Sequence, residues 1–369
     1  MRSNGRIRLA ALVPYPVDTT PSQRFRIEQW KPLAELEGIS VDYFPFATQE
    51  LFDELHEDTS KLSKAIGIGS RFFSRIGDVL KARSYDVVFI HRALSIVGPA
   101  MLERALVSIG PPVIFDFDDA IFIEHTAEAN RAWGWLKFPR KTDTICRLSS
   151  HVMVGNNFLR DYALRFNPNV TVVPTSVDTE RYQFRPDKFS RNGHKPLIVG
   201  WTGSSTSQTY LEAFAPVLRE VISREGIEFR IHSDRRPQLP DLDFVWREWS
   251  PETEVDEISK FDIGIMPMPD TDWARGKCAM KALLYMSVGV PAVCSAVGAN
   301  MDVIENGRNG LLASTAEDWS RQIHQLLDDA NLRKRIAIEG RKTVEDNYSM
   351  QRSAGLFLKI VRDTVKEVH

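Results

Sequence analysis

The sequence has few cysteines and no long apolar run. Its three cysteines, Cys146, Cys278 and Cys294, show no CxxC spacing, so neither a disulfide framework nor a zinc site is indicated. This cysteine usage is typical of a reducing compartment, and we expect a cytoplasmic protein. No stretch contains the roughly 18 apolar residues that a membrane-spanning helix needs. The chain is therefore expected to be soluble or peripheral at a membrane.

An excess of positive charge is also absent. Lys and Arg total 47 against 49 for Asp and Glu, a net charge of −2, so the sequence lacks the basic excess of a dedicated nucleic-acid binder. No nucleic acid is expected as a partner. The composition, 43% apolar and 26% charged, is that of a globular protein. At about 150 residues per domain, 369 residues indicate two domains.

Short β-rich runs alternate with helical stretches, which is typical of βα units. Runs such as 87–90 and 113–115 are apolar throughout, as expected for parallel strands covered by helices on both faces. The first series of strands is predicted at 7–13, 41–46, 86–90, 112–117, 151–154 and 170–173. A second series is predicted at 197–201, 227–232, 244–246, 261–267, 291–295 and 310–312. Helices are predicted from 315 to 368, with a break near Asn347.

The two series predict an α/β protein with two Rossmann-like domains. We expect a first domain at 1–183, a polar linker containing Pro and Gly at 184–196, and a second domain at 197–348. A helix at 349–369 is expected to end the chain and to pack back on the first domain. Because doubly wound domains bind ligands at the carboxyl ends of their strands, the loops there are the candidate sites.

The most informative of these loops lies between 267 and 277. It follows a predicted strand and precedes a helix predicted from about 277 to 287, in which Lys277 and Lys281 lie four residues apart. The helix dipole disfavours cations at this end, so a bound anion would account for both lysines. Helix amides and two lysines would form a diphosphate site. The alternative is that both are solvated lysines balanced by Asp270 and Asp272.

A second candidate loop is the turn after the strand at 197–201. The segment GWTGSSTSQTYL begins at Gly200 and matches neither GxGxxG nor GxxxxGK[ST]. Glycine permits a close approach of the backbone to a ligand, and the hydroxyls that follow suit phosphate or a sugar. A simple Ser/Thr N-cap is the alternative, and both can hold at once.

In the first domain, Asp116-Phe117-Asp118-Asp119 ends a predicted strand. Paired carboxylates suit Mg²⁺ or Mn²⁺, and Asp116 and Asp119 could instead orient a substrate hydroxyl or take its proton. His91 follows the neighbouring strand and is a candidate substrate contact or a structural histidine. Arg24 and Arg26 open the first helix, and one of them is a candidate contact to phosphate, although surface arginines are the default.

The segment 60–84 contains six Lys and Arg and one Asp, a net charge of +5, interspersed with Ile and Phe. This pattern predicts a basic amphipathic helix for an anionic membrane surface. A packed surface helix is the alternative.

Three motifs resemble family 4 glycosyltransferases. The segment 285–313, YMSVGVPAVCSAVGANMDVIENGRNGLLA, is similar to the donor-binding half of that family. The segment VVPTSVD at 172–178 resembles the family's VIPNGVD, and VGWTGS at 199–204 resembles the turn that opens its second domain. The resemblance spans nearly the whole chain, and the 261–312 window is its specific part.

The resemblance implies the GT-B fold, two facing Rossmann-like domains with a cleft between them, and an enzyme. It implies transfer of a sugar from a nucleotide-diphosphate sugar to a glycan or lipid-linked acceptor, with retention, in cell-surface polysaccharide or glycolipid synthesis. It also favours a metal-free role for Asp116 and Asp119, which would orient the acceptor hydroxyl or take its proton, with His91 as a candidate acceptor contact. Neither a metal nor another cofactor is expected. A GT-B-fold nucleotide-sugar epimerase and a non-catalytic sugar-nucleotide-binding protein remain alternatives.

One departure from the family concerns its two glutamates, eight residues apart, of which one contacts the sugar and the other the ribose. Alignment on Met286 and Gly289 puts Gly276 and Leu284 at those positions. The sequence thus resembles a divergent branch, in which backbone amides and the two lysines would hold the donor. The predicted donor-binding residues are Gly203, Ser204, Ser205, Thr206, Arg275, Gly276, Lys277, Cys278, Ala279, Met280 and Lys281.

Overall fold

The structure, a computed structural model, describes residues 6–56, 60–123, 138–186 and 196–367. The chain forms two compact units, the first made of Met1–Thr175 and Met350–His369 and the second of Ser176–Ser349. Val177 belongs to the second unit, where its N–H donates to the carbonyl of Tyr348, 2.9 Å away. Most of the predicted linker at 184–196 lies outside the described residues.

The first unit is built on a six-stranded sheet. Its strands are β1 (Ile7–Val13), β2 (Ile39–Pro45), β3 (Val87–His91), β4 (Val113–Phe117), β5 (His151–Val154) and β6 (Val170–Val172). All pairs are parallel, in the order β2-β1-β3-β4-β5-β6. β3 and β4 are buried along their whole length, because helices cover both faces of the sheet.

The second unit has a sheet of the same size. Its strands are β7 (Leu197–Gly203), β8 (Ile227–Ser233), β9 (Val245–Glu248), β10 (Ile263–Met266), β11 (Ala292–Ser295) and β12 (Leu311–Ala313). The order is β12-β11-β10-β7-β8-β9, and again every pair is parallel. Strand addition reverses direction between β7 and β10, and in the first sheet between β1 and β3. Open α/β sheets bind ligands beside such switch points.

Fifteen α-helices are described, together with a 3₁₀ turn at Glu28–Trp30. They are α1 (Pro21–Arg26), α2 (Lys31–Leu36), α3 (Gln49–His56), α4 (Lys61–Ala82), α5 (Met101–Ile109), α6 (Lys141–Leu148), α7 (Asn157–Ala163), α8 (Ser205–Ile222), α9 (Glu254–Ser259), α10 (Asp272–Arg275), α11 (Met280–Ser287), α12 (Ala299–Val303), α13 (Ala316–Asp328), α14 (Ala330–Asn347) and α15 (Met350–Lys366). None of those in the described ranges is long and apolar enough to cross a bilayer.

The C-terminal helix α15 belongs to the core of the first unit. Phe357 is fully buried, and its ring centroid lies 5.3 Å from that of Trp30 and 5.7 Å from that of Phe89. The hydroxyl of Ser353 donates to the carbonyl of Pro174, 3.0 Å away. The chain therefore finishes in the unit where it began.

Each predicted strand is present in the structure with shifts of a few residues at its ends, and two parallel sheets with flanking and C-terminal helices confirm the predicted fold class. The helix predicted from about 277 is shorter and begins at Met280. Its N-cap, Ala279, is left-handed with φ 55°, so the chain turns sharply there and Lys277 lies in the preceding loop.

Candidate active site

In the second unit, the turn after β7 meets the start of α11. Gly203 is the last residue of β7, and a Cβ at that position would lie 2.6 Å from Cε of Lys281 and 2.7 Å from the Trp201 ring. Such distances are shorter than carbon atoms tolerate. The glycine thus leaves room for the lysine stem and brings two predicted donor-binding motifs together beside the β7–β10 switch point.

Lys281 is a partly buried cation that lies over an aromatic face. Its Nζ is 5.6 Å from the ring centroid of Trp201, within the range of a cation–π interaction. Burial, followed by the charge of Lys277, lowers the pKa of Lys281 to about 8. No ion pair joins Lys281 to a carboxylate among the described residues. The amine is therefore poised to gain from an anionic ligand.

Lys277 does not share a helix face with Lys281, which corrects the prediction from their spacing. The loop around it follows α10, a single turn whose N-cap Thr271 accepts from the Ala274 amide at 3.2 Å. Nζ of Lys277 lies 4.9 Å from the ring centroid of Trp273. The two ammonium groups are nevertheless close enough for Lys277 to lower the pKa of Lys281. They concentrate positive charge at the start of α11.

The remaining predicted donor residues of this loop have other contacts. The Arg275 guanidinium binds Asp270, with Nε 2.7 Å and Nη2 3.1 Å from its carboxylate oxygens. Cys278 Sγ lies 3.9 Å from the carbonyl oxygen of Gly276. A Cβ on Gly298 would lie 2.8 Å from the backbone of Arg275, so this glycine lets the loop pack closely.

The turn at Ser204–Thr206 carries a partner that sequence reasoning missed. The amide of Ser205 donates to Asp234 Oδ1 at 2.7 Å, and its hydroxyl donates to Oδ2 at 3.0 Å. Ser204 Oγ lies 2.8 Å from Thr206 Oγ1. The Asp234 carboxylate thus accepts a hydrogen bond from the first amide of α8. Asp234 directly follows β8, and its place after a strand was the signal that could have identified it.

In the first unit, Asp116, at the end of β4, lies between two cationic side chains. Nε of Arg26 is 3.2 and 3.3 Å from its two carboxylate oxygens, and Nη2 of Arg26 also contacts it. On the other side, Nδ1 of His91 is 2.8 Å from Oδ2 of Asp116. Arg26 also donates to the carbonyl of Val173. Arg26, His91 and Asp116 are 0%, 1% and 0% exposed, so they form a buried layer.

A second layer lies between these residues and solvent. The hydroxyl of Ser22 donates to Asp118 Oδ1 at 2.7 Å and lies 3.0 Å from His91 Nε2. Nη2 of Arg92 is 3.0 Å from Asp118 and 2.5 Å from Asp119. Burial would raise the pKa of Asp118, but the charges of Arg92, His91 and Arg26 and the Ser22 hydrogen bond hold it well below its ordinary value.

This layering assigns different positions to the predicted residues. His91 and Asp116 meet in one network, whereas Asp119 lies in the outer layer with Arg92, which keeps 29% of its side-chain surface exposed. Arg26 faces Asp116, so it is not directed at a bound phosphate in this conformation. Arg24 is partly buried and lines a separate groove of about 380 Å³. Ser22 was not expected from the sequence, and Arg92 was noted beside His91 at the end of its strand but given no role of its own.

The predicted membrane segment is α4, and its cations are not all at the surface. The Arg75 guanidinium is fully buried and donates to the carbonyls of Val13 and Leu94, each at 2.8 Å, and of Phe44 at 2.6 Å. Arg71 donates to the carbonyls of Pro45, the last residue of β2, and of Phe46, which follows it. Burial lowers the pKa of Arg75 to about 10. These two arginines hold the helix on the sheet.

Part of the exposed surface of α4 is an apolar stripe. Leu62, Ile66, Phe73 and Leu80 are 71%, 64%, 74% and 53% exposed, and Ile76 lies between the last two. Their spacing of four, seven, three and four residues keeps them on one face of the helix.

Among the described residues, no group of three or more His, Cys, Asp or Glu side chains is arranged to hold a metal ion.

Comparison with known proteins relates the second unit to a family. The family model "Glycosyl transferases group 1" matches residues 197–329. Spore coat protein SA of Bacillus subtilis is 32% identical over 78 residues, which are 20% of this chain and 21% of that protein. The match therefore spans about a fifth of that relative.

Solved structures share the whole architecture at low identity. Sucrose-phosphate synthase from Thermosynechococcus elongatus aligns with a TM-score of 0.74 and 13% identity, covering 97% of this chain and 99% of that one. HepE from Anabaena, in complex with UDP and glucose, gives 0.68 and 12%, covering 97% and 100%. Starch synthase IV from Arabidopsis thaliana, bound to ADP and acarbose, gives 0.69 and 11%, covering 98% and 100%. Residues 197–329 therefore match the group 1 glycosyltransferase family in a chain with the GT-B fold, which supports the prediction of a glycosyltransferase enzyme.

Proposed function

We propose that this protein transfers a sugar from a nucleoside-diphosphate sugar to a glycan or lipid-linked acceptor, as a divergent branch of family 4. The observation that carries the proposal is Lys281, a partly buried ammonium group beside the β7–α8 turn of the group 1 domain. A cation in that place needs an anionic ligand to offset its burial, and a diphosphate supplies one.

The second unit would hold the donor through two lysines and backbone amides. Lys281 approaches from the first turn of α11 and Lys277 from the loop before it, so a diphosphate between them and the turn at Gly203 would meet both charges. At α11 no side chain caps the N-terminus, so its first amides suit an anion. The α8 terminus is less suitable, because Asp234 already binds its first amide. HepE, which has a similar fold, was solved with UDP.

The absence of the family's glutamates bears on the donor sugar. Leu284 is buried and Gly276 ends α10, so neither position offers a carboxylate to sugar or ribose hydroxyls. The donor would then depend on its diphosphate for most of its affinity. We expect nucleotide diphosphates and their sugars to bind with similar strength.

In the first unit, the acceptor would face Ser22, Arg92 and Asp119, which reach solvent in front of the buried His91 and Asp116. A hydroxyl of the acceptor can donate to Asp119 and accept from Arg92. These contacts orient the nucleophile.

The chemistry follows from these two groups of residues. The acceptor oxygen forms a bond to the anomeric carbon while the bond from that carbon to the diphosphate oxygen breaks, with its electron pair going to the diphosphate. The proton of the acceptor hydroxyl passes to the leaving diphosphate. Lys277 and Lys281 stabilise the charge that develops there, and this electrostatic contribution dominates the rate. Retention at the anomeric carbon is part of the proposal.

A ligand screen followed by a turnover assay tests the proposal. UDP-, GDP- and ADP-sugars are added to the full chain in thermal melts, where a donor at 100 times its Kd adds about 2.7 kcal/mol of stability. The stabilising donor is then incubated with and without glycan and lipid-linked acceptors. Transfer only with an acceptor supports the proposal. An isomerised sugar from donor alone indicates an epimerase, and binding without turnover a non-catalytic protein.

We also propose that α4 places the first unit on an anionic membrane, which would give access to a lipid-linked acceptor. The exposed stripe from Leu62 to Leu80 supplies apolar side chains for the acyl boundary. At the end of the stripe, Lys81 and Arg83 line a groove of about 490 Å³ with Phe44 and Tyr85. Their charges complement a lipid phosphate.

Vesicle flotation with matched variants tests this placement. Phe73→Ser removes an exposed apolar side chain from α4, and Ile338→Ser removes one of 45% exposure from α14 as the control. We expect the wild type and the Ile338 variant to float with phosphatidylserine vesicles and the Phe73 variant to float much less. Equal flotation of all three, or none by the wild type, contradicts the proposal. Arg71 and Arg75 are unsuitable for this test because they hold α4 in place.

A further inference from the structure

The hydroxyl of Ser22 lies between a carboxylate and an imidazole. Its oxygen is 2.7 Å from Asp118 Oδ1 and 3.0 Å from His91 Nε2. A hydroxyl has only one hydrogen to donate, and two oxygens 2.7 Å apart need a hydrogen between them. Asp118 is ionised, because Arg92 binds the same carboxylate oxygen at 3.0 Å. The Ser22 hydrogen therefore points to Asp118.

The same counting assigns the hydrogens of His91. Because the Ser22 hydrogen is used, the contact to Nε2 requires a hydrogen on that nitrogen. Nδ1 faces Asp116 Oδ2 at 2.8 Å, and both oxygens of that carboxylate also face the Arg26 guanidinium in an ion pair. A carboxylate only accepts, so Nδ1 also carries a hydrogen. We propose that His91 is doubly protonated in the resting protein and acts as a positioning residue that fixes the Ser22 hydroxyl, rather than as a general base.

The charges around the site agree with this assignment. Arg26 of α1 and Arg92, just after β3, are the arginines that contact the cluster, whereas Arg24 of α1 lines a separate groove. Opposite them are three carboxylates in and after β4, at positions 116, 118 and 119. Tyr15, near Arg92, stays neutral because burial raises its pKa. A positive His91 gives three charges of each sign. A neutral His91 would leave an uncompensated negative charge in a largely buried cluster, which is costly.

The consequence rests on the proposed function. If an acceptor hydroxyl binds at Ser22 and Asp119, His91 has no lone pair with which to take its proton. The imidazolium instead donates to Ser22, whose oxygen is held at a fixed place in front of the buried layer. Ser22 thus becomes a residue of the acceptor site, and His91 acts through it.

Nuclear magnetic resonance of the ligand-free full chain tests the protonation without any assay of activity. His91→Gln identifies the His91 signals, and the ¹⁵N shifts of both ring nitrogens are followed with pH. At pH 7.5 we expect both to carry hydrogen in the wild type and in Ser22→Thr, which keeps the hydroxyl. Ser22→Ala removes the acceptor of the Nε2 hydrogen, and a smaller fraction of its His91 rings should carry both hydrogens at pH 7.5 than in the wild type. An unprotonated ring nitrogen in the wild type overturns the proposal, as does equal behaviour of Ser22→Ala and the wild type.

A second readout concerns the reaction. We expect Ser22→Ala to lower kcat/KM for the acceptor about tenfold or more with an unchanged Kd for the donor, and Ser22→Thr to retain most activity. The acid side of the pH profile should show no loss of rate from protonation of His91. An acid limb present in the wild type and absent in His91→Gln would make His91 a general base and contradict the inference. If the wild type transfers no sugar, the proposed function fails, whereas the NMR result still decides the state of His91.

Discussion

Replacing Lys281 with Met should change stability and ligand binding in opposite directions. The substitution keeps an apolar stem of similar length beside Gly203 and Trp201 and removes the ammonium group. In the ligand-free protein this charge is unfavourable, since burial and Lys277 lower the pKa of Lys281 to about 8 from an ordinary value of 10.5. In a complex with a diphosphate the same charge would be favourable.

The stability change follows from that pKa. Each pKa unit corresponds to about 1.4 kcal/mol, so protonated Lys281 costs the folded state at most about 3.5 kcal/mol, less the part offset by its contact with solvent. Because the folded pKa lies below the unfolded one, the unfolded state binds more protons between pH 8 and about pH 10.5. The wild type therefore gains stability as pH rises through that window, and the cost is fully present below pH 8. Lys281→Met should be more stable at pH 7 and lack this gain.

Binding should change the other way. A hydrogen bond to a charged group is worth about 1.5–3 kcal/mol, so Lys281→Met should weaken nucleoside diphosphate binding by about 10- to 150-fold. Above pH 8 the free protein loses the ammonium form, and wild-type affinity should fall with rising pH. The affinity of the variant should not show this dependence.

Titration calorimetry with UDP and urea unfolding, both at pH 7 and pH 9, measure these effects. Lys334→Met, which removes an exposed lysine from α14 of the same unit, is the control and should change neither quantity appreciably. A Lys281→Met protein that binds UDP as well as the wild type would refute the assignment of the diphosphate site. A variant less stable than the wild type at pH 7 would refute the argument that the ammonium group is unfavourably buried.

Three further predictions follow from the same contacts. Gly203→Ala should weaken UDP binding and lower the melting temperature only slightly, because the flexible end of Lys281 is displaced more easily than the buried Trp201 ring. Unchanged affinity in calorimetry would contradict this. Arg75→Met should lower the free energy of unfolding in urea by about 3 kcal/mol or more, because three backbone carbonyls lose the guanidinium as a donor, whereas the exposed Arg83→Met should cost little; equal losses would refute it. Transfer activity should survive EDTA, since arginines already pair with the carboxylates after β4; loss restored by Mn²⁺ would make those carboxylates a metal site.

The strands and their parallel arrangement could be predicted because that information is local. A continuous apolar run such as Val87 to Ile90 indicates a strand buried on both faces, and its alternation with helices indicates right-handed parallel crossovers. The same reasoning placed candidate ligand-binding residues at the ends of strands, and His91, Asp116 and Gly203 do lie there. Periodicity and composition were sufficient for these conclusions.

The start of α11 was not accessible in this way. The four-residue spacing of Lys277 and Lys281 suggested one helix face, but Ala279 turns into a left-handed conformation that few non-glycine residues adopt and that no periodicity signals. The two ammonium groups still lie close enough for Lys277 to lower the pKa of Lys281, because the fold brings the loop and the helix to the same end of the second sheet.

The direction of the charged side chains was decided by tertiary structure alone. The sequence by itself determined that Arg26, Arg75 and Asp116 are present, and it determined the two α/β units that hold them. It did not show that Arg26 pairs with Asp116 across 90 residues or that Arg75 binds carbonyls of three different segments. Burying an arginine is costly unless distant partners satisfy it. Those partners are gathered only when the sheet and the loops beyond its strands have assembled, so which cation faces solvent is a property of the fold.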